Sequence, residues 1–262
     1  MIKRAALTNF LNKFFKPYED PARAREMVVN GLQISGSDEV KKVGLGVSVG
    51  LEFFQKAHEA GCNFLVVHHG LSFGGVTENG NKLFPHLESR LKYLYQNEIS
   101  LAGYHFCLDH HPEIGNNAWV IKKLGGQTLG SICDAWGWYA RFPKPRLLDE
   151  VVKECEDIYT HRGLVVGASR QTVTTFAVVS GSGAPDYRDP DNYREFLEKE
   201  IELEIVGDMK EAHPSFAKEI GLTLAAFGHY NTEIIGVKNL GEVIKKEFPS
   251  LPVEFIDVPN VL

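Results

Sequence analysis

Two adjacent histidines, His68 and His69, follow the apolar run of residues 64–67 and precede Gly70. A short apolar run of this kind predicts a buried strand, and side chains on a strand alternate between its two faces. Neighbouring histidines therefore converge only where the strand ends and the backbone turns, which Gly70 permits. Ligand sites of open α/β sheets lie at the carboxyl ends of strands. The pair predicts a metal or catalytic site there, although histidines that bond to the backbone fit the same pattern.

Two further predicted strand ends carry polar side chains. Asp109 follows a strand that ends near His105, and His229 follows a strand that ends near Gly228. Glu233 lies one helical turn after His229, so both side chains can project on the same side of a helix start. The carboxyl ends of parallel strands share one edge of a sheet. We therefore expect side chains from these three strand ends to meet.

The resulting set of candidate ligands contains three imidazoles and two carboxylates: His68, His69, Asp109, His229 and Glu233. A single catalytic metal keeps about three protein ligands and a water, so this set suits two ions bridged by one carboxylate. Zn, Mn, Fe, Co and Ni all accept such ligands, and the sequence does not choose among them. Two ions roughly 3.5–4 Å apart would activate water at neutral pH and hold the attacking and leaving oxygens of a hydrolysis.

The elements that would position these residues alternate between helices and strands. Leu7, Phe10, Leu11, Phe14 and Phe15 fall at helical spacing, which predicts an amphipathic helix at the start of the chain. Strands at 43–49, up to His69 and at 99–105 alternate with helices at 51–60, 83–96 and from Asn116 or Asn117 to 123. This alternation predicts a mainly parallel sheet flanked by helices.

The middle of the chain has a different pattern. Short β-type runs at 136–139, 164–168 and 172–179 precede a helix at 192–199 and a strand at 203–206. A strand at 222–227, a helix at 232–246 and a strand at 253–257 then resume the first pattern. We predict an α/β fold with a discontinuous metal-site domain, residues 1–126 and 213–262, and a smaller inserted α+β domain, residues 127–212.

The composition matches a soluble globular protein, with 44% hydrophobic and 24% charged residues among 262. A formal net charge of −6 and the lack of any Lys/Arg cluster argue against a nucleic-acid or membrane-surface role. We see neither a signal peptide nor an apolar run that could cross a membrane. Four scattered cysteines without a Cys-x-x-Cys motif predict reduced, mostly buried thiols in a cytoplasmic protein.

The chain resembles a known family, the NIF3-like dinuclear metal proteins, which are also described as GTP cyclohydrolase I type 2 homologues. The resemblance covers most of the length and is specific only when its segments are taken together. Those segments are 30–33 (Asn-Gly-Leu-Gln), 68–69 (His-His), 105–109 with Pro112, 207–213, 228–230 with Glu233, 236–237 and 254–257. The chain departs from the family at Gly70, where proline is common, and at residues 73–75 (Phe-Gly-Gly), which puts the rigidity of this loop in question.

The resemblance implies how the ligands divide between the metals. His68 and Asp109 would bind one ion, His69 and His229 the other, and Glu233 both. It also implies two interlinked α/β domains and a toroidal homohexamer with the metals facing an inner cavity. Because GTP ring opening has been attributed to some members of the family, it further implies a nucleotide-like or other small-molecule substrate.

Several polar residues near these segments have more than one interpretation. His105 either orients a ligand or takes part in the reaction directly, and His213 is either a proton donor or a surface turn residue. His110 and His111 are interpreted as solvated loop residues, one of which could touch the substrate. The Gly-Ser-Gly segment at 181–183 is interpreted as a turn in preference to a phosphate cradle, because the dinucleotide fingerprint is incomplete.

Two functions follow from this sequence. The first is a metal-dependent hydrolase in which metal-activated water attacks a nucleotide-like substrate. The second is a non-enzymatic metal-binding regulatory or scaffold ring protein, since neither a Ser/His/Asp nucleophile grouping nor a Walker-type phosphate loop is visible in the sequence.

Overall fold

The computed structural model describes residues 1–18, 30–71, 77–78, 82–185, 188 and 190–260. Its strands are β1 (Ile2–Lys3), β2 (Gly31–Ile34), β3 (Glu39–Val40), β4 (Val43–Ser48), β5 (Phe64–His69), β6 (Thr77–Glu78), β7 (Lys82–Leu83), β8 (Ser100–Gly103), β9 (Gln127–Ile132), β10 (Gly137–Leu147), β11 (Leu164–Gly167), β12 (Thr172–Val179), β13 (Leu203–Val206), β14 (Thr223–Ala226) and β15 (Val253–Phe255). Its helices are α1 (Arg4–Phe15), α2 (Leu51–Glu59), α3 (Pro85–Gln96), α4 (Phe106–Asp109), α5 (Asn116–Lys123), α6 (Leu148–Tyr159), α7 (Pro190–Glu198), α8 (His213–Glu219) and α9 (His229–Glu247), with a 3₁₀ turn at Lys16–Tyr18. Most of the predicted loop at 70–80, including residues 73–75, lies outside the described residues.

The chain divides into two compact units, the first formed by Met1–Leu108 and Val237–Pro259 and the second by Asp109–Gly236. The first unit contains a five-stranded sheet with the order β15-β4-β5-β8-β2. The first four of these strands run parallel, and β2 is antiparallel to β8. In the hydrophobic core of this unit, Phe54 and Ala57 of α2 pack with Leu65 of β5 and Leu94 of α3. The prediction of an α/β fold with a mainly parallel sheet is confirmed.

The second unit is built on a six-stranded mixed sheet with the order β11-β14-β13-β12-β10-β9. The strands β12, β13 and β14 are parallel, whereas β11, β10 and β9 each pair with an antiparallel neighbour. Ile121 of α5 and Val151 of α6 pack with Phe142 and Phe176 in one core cluster. This unit therefore has its own core.

The limits of these units differ from those of the predicted domains. Because β14 pairs with β13, the segment 213–236 belongs with the second sheet and not with the first. Residues 109–126 also join the second unit, since Val120 and Ile121 pack beside Ala140 and Phe176. The local pattern identified these elements but carried no information about their pairing partners.

Most individual elements agree with the sequence, and the omissions are instructive. The predicted strand at 203–206 matches β13, and the predicted helix at 232–246 lies within α9. The sequence pattern did not predict β9, α6 and α8, although Leu148, Val151, Cys155 and Tyr159 of α6 are buried at the spacing of one helical face. In the described part of the chain, no helix is long and apolar enough to cross a membrane. All four cysteines are buried thiols.

Candidate metal centre

Three histidines of the first unit lie together at the carboxyl ends of two neighbouring parallel strands. The ring centroids of His68 and His69 are 4.8 Å apart, and those of His68 and His105 are 4.7 Å apart. The ring of His105 is 5.2 Å from that of His69. One ring nitrogen from each of the three lies within 4.8 Å of the others. The arrangement is a cluster of imidazoles of the kind that binds divalent first-row metals.

The end of β5 explains how two adjacent histidines come close. Both His68 and His69 belong to β5, which ends at His69 as the sequence predicts. Its pairing with β8 nevertheless stops at Val67, and its pairing with β4 passes from Gly46–Val67 to Ser48–His69. The ladder with β8 therefore ends before the two histidines, whose ring centroids are 4.8 Å apart.

Hydrogen bonds orient the rings of His68 and His69 and hold the backbone of His105. Nδ1 of His68 is 3.2 Å from the carbonyl oxygen of Tyr104, and Nδ1 of His69 is 2.9 Å from Oγ of Ser48. Both contacts use Nδ1, so metal coordination by these rings would use Nε2. The backbone N–H of His105 donates to Oδ1 of Asn30 at 2.9 Å. The Asn-Gly-Leu-Gln segment thus anchors the chain at His105.

Close packing explains why the residue after the histidine pair, Gly70, is a glycine. A Cβ atom at Gly70 would lie 2.5 Å from Oε1 of Gln33, and a Cβ at Gly103 would lie 3.0 Å from Cα of Gly70. Two backbone segments and a glutamine amide are therefore packed too closely for a side chain. The position of Gly70 is therefore closely packed by its neighbours.

In the second unit, Asp109 is buried and its carboxylate is held by two donors. It is 5% exposed, and its Oδ1 accepts hydrogen bonds from Nδ2 of Asn116 at 2.8 Å and from Oγ of Ser180 at 3.0 Å. Oδ1 of Asn116 accepts in turn from the backbone N–H of Gly236 in α9. Asp109 is the last residue of α4.

The sequence predicts that a helix begins at Asn116 or Asn117. Gly115 is the N-cap of α5, and both asparagines are fully buried at the first two helical positions. Asn117 accepts from the backbone N–H of Ser180 and donates to the carbonyl of Trp136. Buried amides need hydrogen-bond partners, so two fully buried asparagines at a helix start indicate a hydrogen-bonded network. Their burial is known only from the structure, so the sequence alone did not reveal this network.

His229 and Glu233 project on the same side of α9, as their spacing predicts. Nε2 of His229 is 3.3 Å from Oε1 of Glu233, and Glu233 is 3% exposed. Nδ1 of His229 lies 2.8 Å from Oδ2 of Asp208. Glu233 and, to a smaller extent, Asp208 raise the pKa of His229 to about 9 in the metal-free protein, although burial of the ring opposes them.

The chain offers a Ser/His/Asp grouping that the sequence did not reveal, but its geometry is not that of a nucleophile. Oγ of Ser182 is 3.2 Å from Nδ1 of His229 and donates to Oδ2 of Asp208 at 3.0 Å. A serine nucleophile and its orienting carboxylate contact opposite nitrogens of the histidine. Here both contact the same nitrogen, so His229 does not activate Ser182.

The structure shows the surroundings of three other histidines, His110, His111 and His213, whose sequence interpretation was open. His213 is 4% exposed and begins α8, and its Nδ1 accepts from the backbone N–H of Lys210, so it is not a surface turn residue. His111 is 3% exposed, and its burial lowers its pKa to about 4. The ring of His110 stacks on Trp138 at a centroid distance of 4.9 Å. Neither His110 nor His111 is therefore a freely solvated loop residue.

The expectation that three strand ends share one sheet edge is wrong in one respect. The strands β5 and β8 are neighbours in the first unit's sheet, but β14, which precedes His229, belongs to the second unit's sheet. The donors present nevertheless fit divalent metals by their chemistry: an imidazole cluster in the first unit, and in the second unit an imidazole beside a buried carboxylate and a further buried aspartate.

Comparisons with known proteins agree with this fold over the whole chain. A family model for Duf34/NIF3 (NGG1p interacting factor 3) matches residues 2–260. A relative from Archaeoglobus fulgidus, named GTP cyclohydrolase 1 type 2 homolog, is 30% identical and covers 98% of this chain and 99% of its own. A relative of the same name from Pseudomonas aeruginosa is 31% identical over 93% of this chain and 94% of its own.

Solved structures are also similar. A Thermus thermophilus protein, TTHA1606, matches with a TM-score of 0.82 at 31% identity, and the match covers 100% of both chains. Reduced HcgD from Methanocaldococcus jannaschii matches with a TM-score of 0.83 at 22% identity over 98% of each chain, which concerns the fold alone.

Proposed function

The chain belongs to the Duf34/NIF3 family, and from this we propose that it binds two divalent metal ions through His68, His69, Asp109, His229 and Glu233. The observation that carries the proposal is the imidazole cluster of the first unit, with ligand atoms within 4.8 Å of one another. In the second unit, the His229–Glu233 pair and the buried Asp109 supply the carboxylates that a dinuclear site needs. Zn, Mn, Fe, Co and Ni all suit these donors.

We further propose that the protein is a metal-dependent hydrolase of a nucleotide-like substrate. Bound ions would lower the pKa of water and stabilise negative charge at the reacting centre. The protein's own residues orient the ligands: Asn116 and Ser180 hold Asp109, and Asp208 holds His229. His105 and His213 are proposed to transfer protons or to orient ligands. The relatives' name, GTP cyclohydrolase 1 type 2 homolog, supports a nucleotide as the first substrate to test.

The second function is a non-enzymatic metal-binding regulatory or scaffold protein. One observation favours it: the Ser/His/Asp grouping of Ser182, Asp208 and His229 lacks the geometry of a nucleophile. Without such a nucleophile, catalysis would depend entirely on the metals. A protein that holds exchangeable metal and turns over no substrate would fit this function.

The experiment that tests metal binding is elemental analysis of the native protein and of Glu233→Gln. We expect two ions per native chain and a clear loss in the variant, because a neutral amide bridges two cations poorly. Glu204→Gln is the matched control, since Glu204 is also buried in the second unit but is absent from the candidate ligand groups. Near-zero metal in the native protein after reconstitution would contradict the proposal.

A substrate screen separates the two functions. Metal-loaded native protein and Glu233→Gln are incubated with GTP, other nucleotides, phosphoesters and amides, and products are followed by mass spectrometry. Turnover by the native protein that is lost in Glu233→Gln supports the hydrolase. Full metal content without turnover of any compound would favour the non-enzymatic function.

We also propose that the chain assembles into a homohexamer, which the resemblance alone implies. The described residues offer one supporting feature, the exposed side chains of Leu164 and Val165 on β11, an edge strand. Exposed apolar side chains on an edge strand favour association with another chain. Light scattering coupled to gel filtration gives the mass, and a monomer at micromolar concentration would contradict the hexamer.

A further inference from the structure

One turn of the second unit, residues 180–182 (Ser-Gly-Ser), contacts all three candidate ligands of that unit. It follows β12, and its residues contact Asp109, Glu233 and His229 in turn. We propose that the 180–182 turn is a positioning device that fixes these three side chains for metal binding. The inference rests on the proposed metal centre and assigns a role to a segment that overlaps residues 181–183, which the sequence analysis interprets as a turn in preference to a phosphate cradle.

Ser180 is the part of the turn that holds Asp109. Its Oγ donates to Oδ1 of Asp109 at 3.0 Å, and its own N–H donates to the fully buried Asn117 at 2.8 Å. Asn116 donates to the same Oδ1 at 2.8 Å. Two donors on one oxygen fix the rotation of the carboxylate.

Gly181 is the part of the turn that lies against Glu233. Its φ is +64°, and a Cβ atom would lie 2.5 Å from Oε1 of Glu233 and 3.1 Å from Nε2 of His229. Its N–H donates to Oγ1 of Thr232 at 3.1 Å, and its carbonyl accepts from the N–H groups of Gly207 and Asp208 at 3.0 Å each. Both polar backbone groups of Gly181 thus bond within the protein, which removes them from a phosphate cradle. The absence of a side chain makes room for the two ligands.

Ser182 is the part of the turn that supports His229. Its Oγ donates to Oδ2 of Asp208 at 3.0 Å, and the same carboxylate oxygen lies 2.8 Å from Nδ1 of His229. A carboxylate on the far nitrogen of a metal-binding histidine fixes the ring and its tautomer. Ser182 therefore acts on His229 through Asp208 and through its own contact of 3.2 Å with Nδ1.

The test measures Co(II) affinity by competition with a chelator, together with the absorption spectrum of the bound Co(II). Loss of such supporting groups typically weakens metal binding by about 10- to 100-fold, and we expect this of Ser180→Ala and Ser182→Ala. Ser180→Thr and Ser182→Thr keep a hydroxyl and should restore most of the affinity. The spectrum should shift in the alanine variants, because the geometry of the ligands changes, whereas a purely structural role would leave it unchanged.

Gly181→Ala has a matched control in Gly221→Ala. Gly221 has a φ of +75°, so alanine strains its backbone similarly, but nothing lies within 4 Å of its Cβ position. We expect Gly181→Ala to bind Co(II) at least about tenfold more weakly than Gly221→Ala. Native affinity in both serine-to-alanine variants, with equal affinity in the two glycine variants, would overturn the proposal.

Crystal structures of the metal-free variants separate this proposal from the metal centre itself. If native protein binds no Co(II), the proposed function fails, but the positioning role is still measurable. Overpacking displaces neighbouring groups, so Oε1 of Glu233 should move by about 1 Å or more in Gly181→Ala and should stay in place in Gly221→Ala. A Glu233 carboxylate that keeps its position in both structures would refute the role of the turn.

Discussion

The side-chain amide of Gln33 forms two hydrogen bonds with the backbone of Leu71. Its Oε1 accepts from the Leu71 N–H and its Nε2 donates to the Leu71 carbonyl, each at 2.8 Å. This pairing fixes the backbone two residues after His69. With Asn30 on the N–H of His105, it gives the Asn-Gly-Leu-Gln segment a role: its two amides anchor the chain at His105 and just after the histidine pair.

Replacement of Gln33 should therefore destabilise the first unit and loosen the end of β5. Gln33→Leu leaves the N–H and C=O of Leu71 without these partners, at a cost of about 1–3 kcal/mol in the free energy of unfolding. Urea denaturation of the metal-free protein measures it. Gln55→Leu on the exposed face of α2 is the control and should change stability little. Equal stability in both variants would mean that the two hydrogen bonds are not formed.

A side chain at Gly70 should disturb the same contact from the other side. Gly70→Ala places a Cβ 2.5 Å from Oε1 of Gln33, and overpacking of this kind costs about 1–3 kcal/mol. Gly50→Ala is the control, because nothing lies within 4 Å of its Cβ position. Thermal unfolding of both variants, with metal content measured on the same samples, gives the result. A Gly70→Ala variant as stable as Gly50→Ala would contradict the close packing described here.

Glu204 should make the stability of the metal-free protein fall as pH rises. It is fully buried on β13, opposite Ala177 and Leu224, and burial raises its pKa well above the usual value. As pH rises, the carboxyl of Glu204 ionises in the unfolded chain at a lower pH than in the folded protein. The free energy of unfolding is therefore greatest at acidic pH and declines once the pH passes the unfolded pKa of about 4.3. Glu204→Gln should remove this decline and add about 1–3 kcal/mol at pH 8. Urea denaturation at pH 5 and pH 8 tests it.

The control for that variant is Glu219→Gln, which changes an exposed carboxyl on α8. Its stability should follow the native pH dependence. If Glu204→Gln is less stable than the native protein at pH 8, the carboxyl of Glu204 has a partner that stabilises its charged form, and the explanation by burial is wrong.

His229 should give the metal-free protein a pH dependence in a higher range. Its pKa is raised to about 9 by Glu233 and Asp208, whereas the unfolded value is about 6.5. The stabilisation is fully present below the unfolded pKa and is lost as pH rises through the folded pKa. We expect a decline of about 3 kcal/mol between pH 6.5 and 9.5 in EDTA. His229→Gln should lack it, and an equal decline in that variant would assign the effect to another group.

The sequence by itself determined the strands that end in histidines, the helical spacing of His229 and Glu233, and the family. These features depend on alternation and helical periodicity, which are contacts between residues close in the chain. It could not determine that β14 joins the sheet of β13, because strand pairing is decided by long-range packing. For the same reason it could not show the serines of the 180–182 turn against Asp109 and His229, nor Asn116 between Asp109 and α9. Hydrogen bonds between residues more than 40 positions apart leave no periodic signal in the sequence, and only the tertiary structure brings these groups together.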